Sequence, residues 1–296
     1  MRQNQLAWQS KLVLLLVIPG TAALVVLEAP WWAEHSPPFA IWTIGLSVLL
    51  GLVAFQMHSA TLGGAAAGAV ITASLMFSTA IVPYEPWRTA LIPVLALLVL
   101  TSLATRLGRA KKERIGVAED RHGRTASQVA ANLGLSALAC SEVAQSWLAD
   151  SGWFTPAQIA RGILLAPMLT AMAEAAADTL SSEIGQVFGG PPRMITTLRR
   201  VEPGTDGAVT FAGTLAGIAG AAIVAAAGAI ALRGDLALFA ICCASGVFGL
   251  LFDSLLGATI ERRGWLNNDL VNFLSTASAA AFAVGAMYVR SRSLTH

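Results

Sequence analysis

Residues 208–258 decide the fold: AVTFAGTLAGIAGAAIVAAAGAIAL (208–232), then Arg233-Gly234-Asp235, then LALFAICCASGVFGLLFDSLLGA (236–258). The first apolar run contains no charged residue, and the second contains a single one, Asp253. A transmembrane helix needs about 20 mainly apolar residues, and both runs reach that length. This stretch therefore predicts two membrane-spanning helices joined by a short polar turn.

Outward from this stretch, the same length criterion predicts about nine spans along the chain. The expected fold class is all-α, a polytopic transmembrane helical bundle that forms a single integral membrane domain over residues 1–296. Gly-xxx-Gly pairs at 64/68 and 213/217 predict close helix packing inside the bundle. The predicted spans lie near residues 12–28, 39–56, 60–82, 89–105, 127–148, 158–185, 208–232, 236–258 and 270–289.

The composition supports a membrane protein and argues against several other classes. Of the 296 residues, 55% are hydrophobic and 12% are charged, whereas a soluble domain carries about 25% charged residues. The net charge of +2 is too small to indicate nucleic acid as a partner. The three cysteines lie in apolar runs without a CxxC pair, so neither a disulfide framework nor a thiolate metal site is expected.

The distribution of basic residues predicts the orientation in the membrane. In the nine-span arrangement, fourteen of the 19 Lys and Arg residues fall on the side of the N-terminus and five on the other side. Cytoplasmic loops are enriched in Lys and Arg. We therefore expect a cytoplasmic N-terminus, with the loops 106–124 and 186–207 also in the cytoplasm.

Acidic residues inside apolar runs are costly in a membrane and usually functional. Glu174 and Asp178 are four residues apart and share a helix face, whereas Glu142 lies in mid-span without an assigned role. Asp178, Glu183 and Asp253 all fall in the last turns of spans that enter the cytoplasm. Carboxylates without histidine or cysteine favour Mg²⁺ over zinc. These three are the predicted metal ligands and catalytic residues.

Polar residues near these span ends predict a phosphate-binding site. The loop 189–207 is rich in glycine, hydroxyl groups and arginine, which can offer backbone N–H groups and charge-assisted contacts to an anion. An ordinary role in topology is the alternative for each basic residue of the loop 106–124. The predicted phosphate-binding residues are Lys112, Arg124, Asn132, Arg193, Thr196, Thr197, Arg199, Arg200, Gly204, Thr205, Asp206, Gly207, Asn268 and Asn272.

Two classes of chemistry are disfavoured by the residues available. The chain contains four histidines. None of them is expected in the predicted acidic cluster, and no catalytic partner for any of them is evident from the sequence. Ser–His–Asp catalysis and zinc hydrolysis are therefore not expected. A Walker A loop is also missing, because the sequence contains no Gly-Lys-Ser or Gly-Lys-Thr.

Four stretches together resemble the DUF92, or TMEM19-like, family of membrane proteins, which includes the plant phytyl-phosphate kinase. More distantly, Asp178 followed by Gly185 and a basic glycine loop is similar to dolichol kinases and CDP-diacylglycerol synthases, which use CTP and Mg²⁺. The resemblance covers most of the chain after about residue 40. The stretches are Lys111-Lys112 with 123–124 and 128–132, ADTLSSEIG (177–185), ITT (195–197) with PGTDG (203–207), and FDSLLGA (252–258) with NNDLVN (267–272).

The resemblance implies a membrane-embedded prenyl-phosphate kinase. Such an enzyme would transfer a phosphoryl group from a nucleotide, with CTP expected, to an isoprenoid monophosphate such as phytyl or geranylgeranyl phosphate. Two alternatives stay open: a CTP-dependent cytidylyltransferase acting on a lipid phosphate, and a carrier with a cytoplasm-facing acidic site. The sequence also leaves open the identity of the lipid, the phosphate donor and whether the chain forms a homo-oligomer.

Overall fold

The computed structural model describes residues 6–118, 122–155 and 163–293. Arg2, Arg121 and Arg161, all counted in the predicted topology, lie outside these residues, as does the start of the predicted span 158–185. The described helices are α1 (Ala7–His35), α2 (Pro37–Gln56), α3 (Leu62–Ser78), α4 (Leu91–Arg106), α5 (Arg109–Arg114), α6 (Ala126–Cys140), α7 (Glu142–Asp150), α8 (Leu165–Phe188), α9 (Phe211–Ala231), α10 (Leu236–Leu256) and α11 (Asn268–Ser293).

Helices dominate the described part of the chain, and the strands found there are a two-residue antiparallel pair. Strand β1 (Arg193–Met194) pairs with β2 (Ala208–Val209). This hairpin connects α8 to α9 in the chain. The predicted span 208–232 therefore begins as a strand and becomes helical only at Phe211. A 3₁₀ turn at Pro86–Arg88 precedes α4, and a π-helical turn at Gly257–Glu261 extends α10.

The all-helical architecture is confirmed, but the predicted number of nine spans is not. In the described residues, five helices are long and apolar enough to cross a membrane: α1, α2, α9, α10 with its π turn, and α11. The apolar helices α3, α4 and α6 are shorter. Helix α8 has 24 residues but carries three acidic ones, and it is not among the five.

The predicted helix 127–148 is wrong in one respect, because two helices meet at Ser141 and the helix is interrupted there. This residue has extended backbone angles (φ −66°, ψ 157°), and its side chain accepts a hydrogen bond from Ala144 N, which starts α7. Glu142 is therefore an exposed residue in the first turn of a short helix. An acidic residue is favourable at a helix N-terminus, so Glu142 is not a mid-span acid.

Helix α8 forms the centre of the bundle. It packs against α4, α6, α9, α10 and α11, and every residue from 166 to 177 is buried. Its tightest neighbour is α9, because glycines let the two backbones meet: a methyl group at Gly217 would lie 2.9 Å from the carbonyl oxygen of Ala177. The predicted packing role of Gly213 and Gly217 is thereby confirmed.

Candidate functional site

A polar cavity of about 300 Å³ opens at one end of the bundle. It is lined by the start of α6, the C-terminal half of α8, the loop 190–210, the end of α10 and the start of α11. This is the end at which α1 begins, because the Gln9 side chain donates to Trp265 O (2.8 Å) and accepts from Asn267 N (2.7 Å). The volume suits a small ligand or the polar part of a larger one.

Carboxylates from two helices face each other across this cavity. Asp178 of α8 and Asp253 of α10 both line it, together with Glu261 of the π turn. Glu174, one turn below Asp178, is 1% exposed and accepts a hydrogen bond from Ser275 Oγ (2.7 Å). Asp253 lies within electrostatic range of all three other acids. Carboxylates gathered in a partly enclosed space are stable only when they are protonated or neutralised by a cation, so the cavity can accept a bound cation.

The donor set fits a Mg²⁺ ion that is shared with phosphates. Asp253 Oδ1 is buried and has no hydrogen-bond partner among the described residues, so one carboxylate oxygen is available to a ligand. Within the same residues, no three Asp, Glu, His or Cys side chains are arranged to hold a metal by themselves. Mg²⁺ is usually bound by one or two carboxylates plus waters and substrate phosphates, and Asp178 with Asp253 meets that description.

The structure separates Glu183 from the other two predicted ligands. Glu183 does not line the cavity. Its Oε2 lies 2.5 Å from Lys112 Nζ in a salt bridge whose side chains are 5% and 1% exposed. Lys112 also donates to the carbonyl oxygens of Ala104 (3.1 Å) and Thr105 (2.6 Å). This pair fixes α5 against α8, so Lys112 and Glu183 act as structural partners here.

Arg124 supplies positive charge to the same cavity. Its Nη1 donates to Thr101 Oγ1 (3.0 Å) and its Nη2 to Thr179 Oγ1 (3.5 Å). Its backbone is fixed by Arg124 N donating to Ser59 O (3.1 Å) and by Thr61 N donating to Arg124 O (2.9 Å). This approach requires glycine at 64, where a methyl group would lie 2.2 Å from Arg124 O.

The loop 203–207 closes the cavity next to the π turn. Gly204 and Gly207 have positive φ angles of 82° and 73°. A methyl group at Gly207 would lie 2.3 Å from Ala258 N, so only glycine lets the loop lie against the end of α10. Partial burial raises the pKa of Asp206, and the positive charge of Arg262 partly offsets this.

Several predicted phosphate-binding residues share the cavity, and others do not. Asn132 of α6 and two asparagines of α11, Asn268 and Asn272, line it with Arg124 and the loop 203–207. The hairpin residues lie elsewhere: all five are exposed and none lines the cavity, and Arg193 donates to Leu198 O (2.8 Å). These are Arg193, Thr196, Thr197, Arg199 and Arg200.

Several cavity residues are absent from the predicted site, among them Glu261 and Thr210. Glu261 follows Asp253 and Gly257 at intervals of four residues, and this spacing, which continues one helix face, is its signal in the sequence. Thr210 lines the cavity and caps α9 by accepting from Gly213 N (3.0 Å). Its signal in the sequence is weaker, since a threonine before an apolar run is typical of any helix start.

Comparisons with known proteins identify relatives of this chain. The family model described as integral membrane protein DUF92 matches residues 45–280. An uncharacterized membrane protein of Synechocystis sp. is 32% identical over 211 residues, which is 67% of this chain and 74% of that protein. An uncharacterized membrane protein of Methanocaldococcus jannaschii is 46% identical over 108 residues, or 36% of this chain and 45% of that protein.

A plant relative is also found. Protein VTE6, chloroplastic, of Arabidopsis thaliana is 30% identical over 194 residues, which is 64% of this chain and 56% of that protein. The alignment thus spans about half the length of this relative and of the M. jannaschii protein. No solved structure matches the chain.

Proposed function

The chain belongs to the DUF92 family of integral membrane proteins, and on this premise we propose that it is a Mg²⁺-dependent prenyl-phosphate kinase. The observation that carries the proposal is the polar cavity, in which the carboxylates of Asp178 and Asp253 share one space with the fixed guanidinium of Arg124. Phosphoryl transfer needs mainly positioning and neutralisation of charge. Acidic and basic walls on one small cavity supply both.

In the proposed reaction, an oxygen of the lipid monophosphate forms a bond to the γ-phosphorus of the nucleotide. The bond between that phosphorus and the β-bridging oxygen breaks, and the nucleoside diphosphate leaves. Bound Mg²⁺ would neutralise the phosphates of the donor. Asp178 and Asp253 would hold this metal, and Arg124 would bind the acceptor phosphate. No strong general base is needed, because the attacking phosphate oxygen is already ionised.

The remaining cavity residues would bind the nucleotide, for which CTP is the proposed donor. The loop of Gly204, Thr205, Asp206 and Gly207 offers backbone groups at a place where side chains are small. The distribution of Lys and Arg supports a cytoplasmic position for this end of the bundle, where nucleotide is available. The position of the cavity at one end of the helices favours an enzyme over a carrier, whose site would lie near the bilayer midplane.

The test uses the purified full-length protein in lipid vesicles with Mg²⁺, γ-labelled CTP and geranylgeranyl monophosphate. We expect labelled diphosphate product and unlabelled CDP. Asp178→Asn and Asp253→Asn should each lower turnover by about 100-fold or more, since each removes a charged metal ligand. Asp235→Asn is the matched control, because Asp235 precedes α10 at the opposite end from Asp253.

Three results would contradict the proposal. Formation of no diphosphate from any prenyl monophosphate with any nucleoside triphosphate would remove the kinase reaction. Unchanged rates in both aspartate variants would remove the metal assignment. Release of pyrophosphate together with a CDP-linked lipid would replace the kinase by a cytidylyltransferase using the same cavity.

A further inference from the structure

A second cavity, apolar and about 90 Å³ in volume, lies directly beside the polar one. It is enclosed by α2, α3, α4, α6 and α8. Three residues line both cavities: Arg124, Asn132 and Thr179. The two spaces therefore meet at the guanidinium to which the proposed function gives the acceptor phosphate.

The walls of this second cavity suit a hydrocarbon. Small residues, among them Gly51, Ala65 and Gly68, leave the space that larger side chains would fill, and Leu97 adds an apolar surface. The hydroxyl of Thr72 is already used, because it donates to Gly68 O (2.7 Å). The polar residues Arg124, Asn132 and Thr179 lie at the boundary with the polar cavity, and a cavity with mainly apolar walls favours an apolar occupant over water.

The boundary between the cavities suits an anionic headgroup. The two bonds of Arg124 to Thr101 and Thr179 use two of the five N–H groups of its guanidinium. Thr101 and Thr179 both line the apolar cavity, so the charge is held where the apolar wall ends. A molecule with a phosphate at one end and a hydrocarbon chain next to it matches the order of these two environments.

We infer that the apolar cavity binds the first part of the hydrocarbon chain of the acceptor, with its phosphate on Arg124. This inference rests on the proposed function and adds the place of the lipid chain. Helix α2 packs chiefly on α3 and α1, and Leu52, Val53 and Phe55 on its other face are exposed. A single helix thus separates the cavity from surrounding lipid, into which the rest of a long chain can extend.

Gly68→Leu tests the chain site through binding of the lipid acceptor relative to binding of the nucleotide. A methyl group at Gly68 would lie 3.8 Å from Val129 Cγ1, an ordinary contact, so the first carbon fits and the rest of the leucine fills the cavity. The ratio of KM for geranylgeranyl monophosphate to KM for CTP should rise by about tenfold or more, because the leucine fills the space of the first isoprene unit and leaves the nucleotide site unchanged. The matched control is Gly45→Leu on α2, where nothing lies within 4 Å of an added methyl group, and it should leave this ratio unchanged.

A second measurement does not depend on turnover or on the variant. A prenyl monophosphate with a diazirine in its first isoprene unit is irradiated with the wild-type protein in vesicles, and the labelled peptides are identified by mass spectrometry. Labels on α2, α3 or α4 at the cavity walls support the chain site, even if no diphosphate forms and the kinase proposal fails. Diphosphate formation with labels elsewhere, or an unchanged ratio in a folded Gly68→Leu protein, overturns the chain site and leaves the kinase standing.

Discussion

Replacing Lys112 with methionine removes the ammonium group that lies 2.5 Å from Glu183 Oε2, between side chains that are 1% and 5% exposed. Breaking a buried ion pair by removing one partner costs about 3–5 kcal/mol of stability. Glu183→Gln should cost less, about 1–3 kcal/mol, because Lys112 keeps the carbonyl oxygens of Ala104 and Thr105 as acceptors. The double variant leaves no charge of this pair buried and should regain most of the lost stability.

The assay is thermal unfolding in detergent, followed by circular dichroism, with turnover measured on the same samples at saturating Mg²⁺. For Lys112→Met we expect the apparent Tm to fall by about 5–10 °C. The double variant should recover both Tm and turnover, because this geometry gives Glu183 a structural role. A double variant with wild-type Tm but no turnover would refute this reasoning and return Glu183 to the metal ligands that the sequence predicts.

Three further changes test other parts of the structure. Gly207→Ala should lower turnover at least about tenfold, because a methyl group at that position meets Ala258. The control is Gly116→Ala, where φ is a similar 75° but the space around the residue is open. In unfolding assays this control should cost only the backbone strain of about 1–2 kcal/mol. Charge reversal of Arg199 and Arg200 to glutamate should leave KM for CTP nearly unchanged in steady-state kinetics, because both are exposed outside the cavity; a large increase in KM would bring the hairpin into the site. A hydrogen bond from Arg290 holds the pKa of Asp235 below its usual value, so the contribution of Asp235 to stability is present above the unfolded-state pKa of about 4 and is lost as pH falls through the lower folded-state pKa. Asp235→Asn should therefore cost less than about 1 kcal/mol of stability at pH 7. The difference in Tm between this variant and the wild type should vanish in strongly acidic buffer.

Most of the helices could be predicted from the sequence, because apolar length is a local property. The break at Ser141 could not, since apolar residues resume at Val143 and the cause is one serine that caps the next helix. The misreading of Glu142 followed from this missed break. Short helices such as α5 are also not predicted by a criterion that looks for apolar runs long enough to cross a bilayer.

The candidate site was only partly predictable for a different reason. Asp178 and Asp253 are far apart in sequence but share a cavity, and their position in apolar runs was a sufficient signal. Glu183 carries the same kind of signal and yet binds Lys112, because a buried charge marks either a ligand site or an ion pair. Telling a ligand site from an ion pair requires the distances between charged side chains, which the sequence does not give. The exposed arginines of the hairpin show the same gap, since composition does not indicate the direction in which a loop folds.

The enclosure of α8 by other helices has a consequence for how the protein enters the bilayer. On insertion scales, an aspartate near the centre of a helix costs roughly 2.5–3.5 kcal/mol, and α8 carries Asp178 together with two glutamates, Glu174 and Glu183. This segment is therefore poorly suited to leave the translocon alone. Its partners α4 and α6 are synthesised before it and α9 directly after it, so its integration depends on helices that are already in place or arrive with it. Packing of the bundle and membrane integration of α8 are therefore expected to occur together.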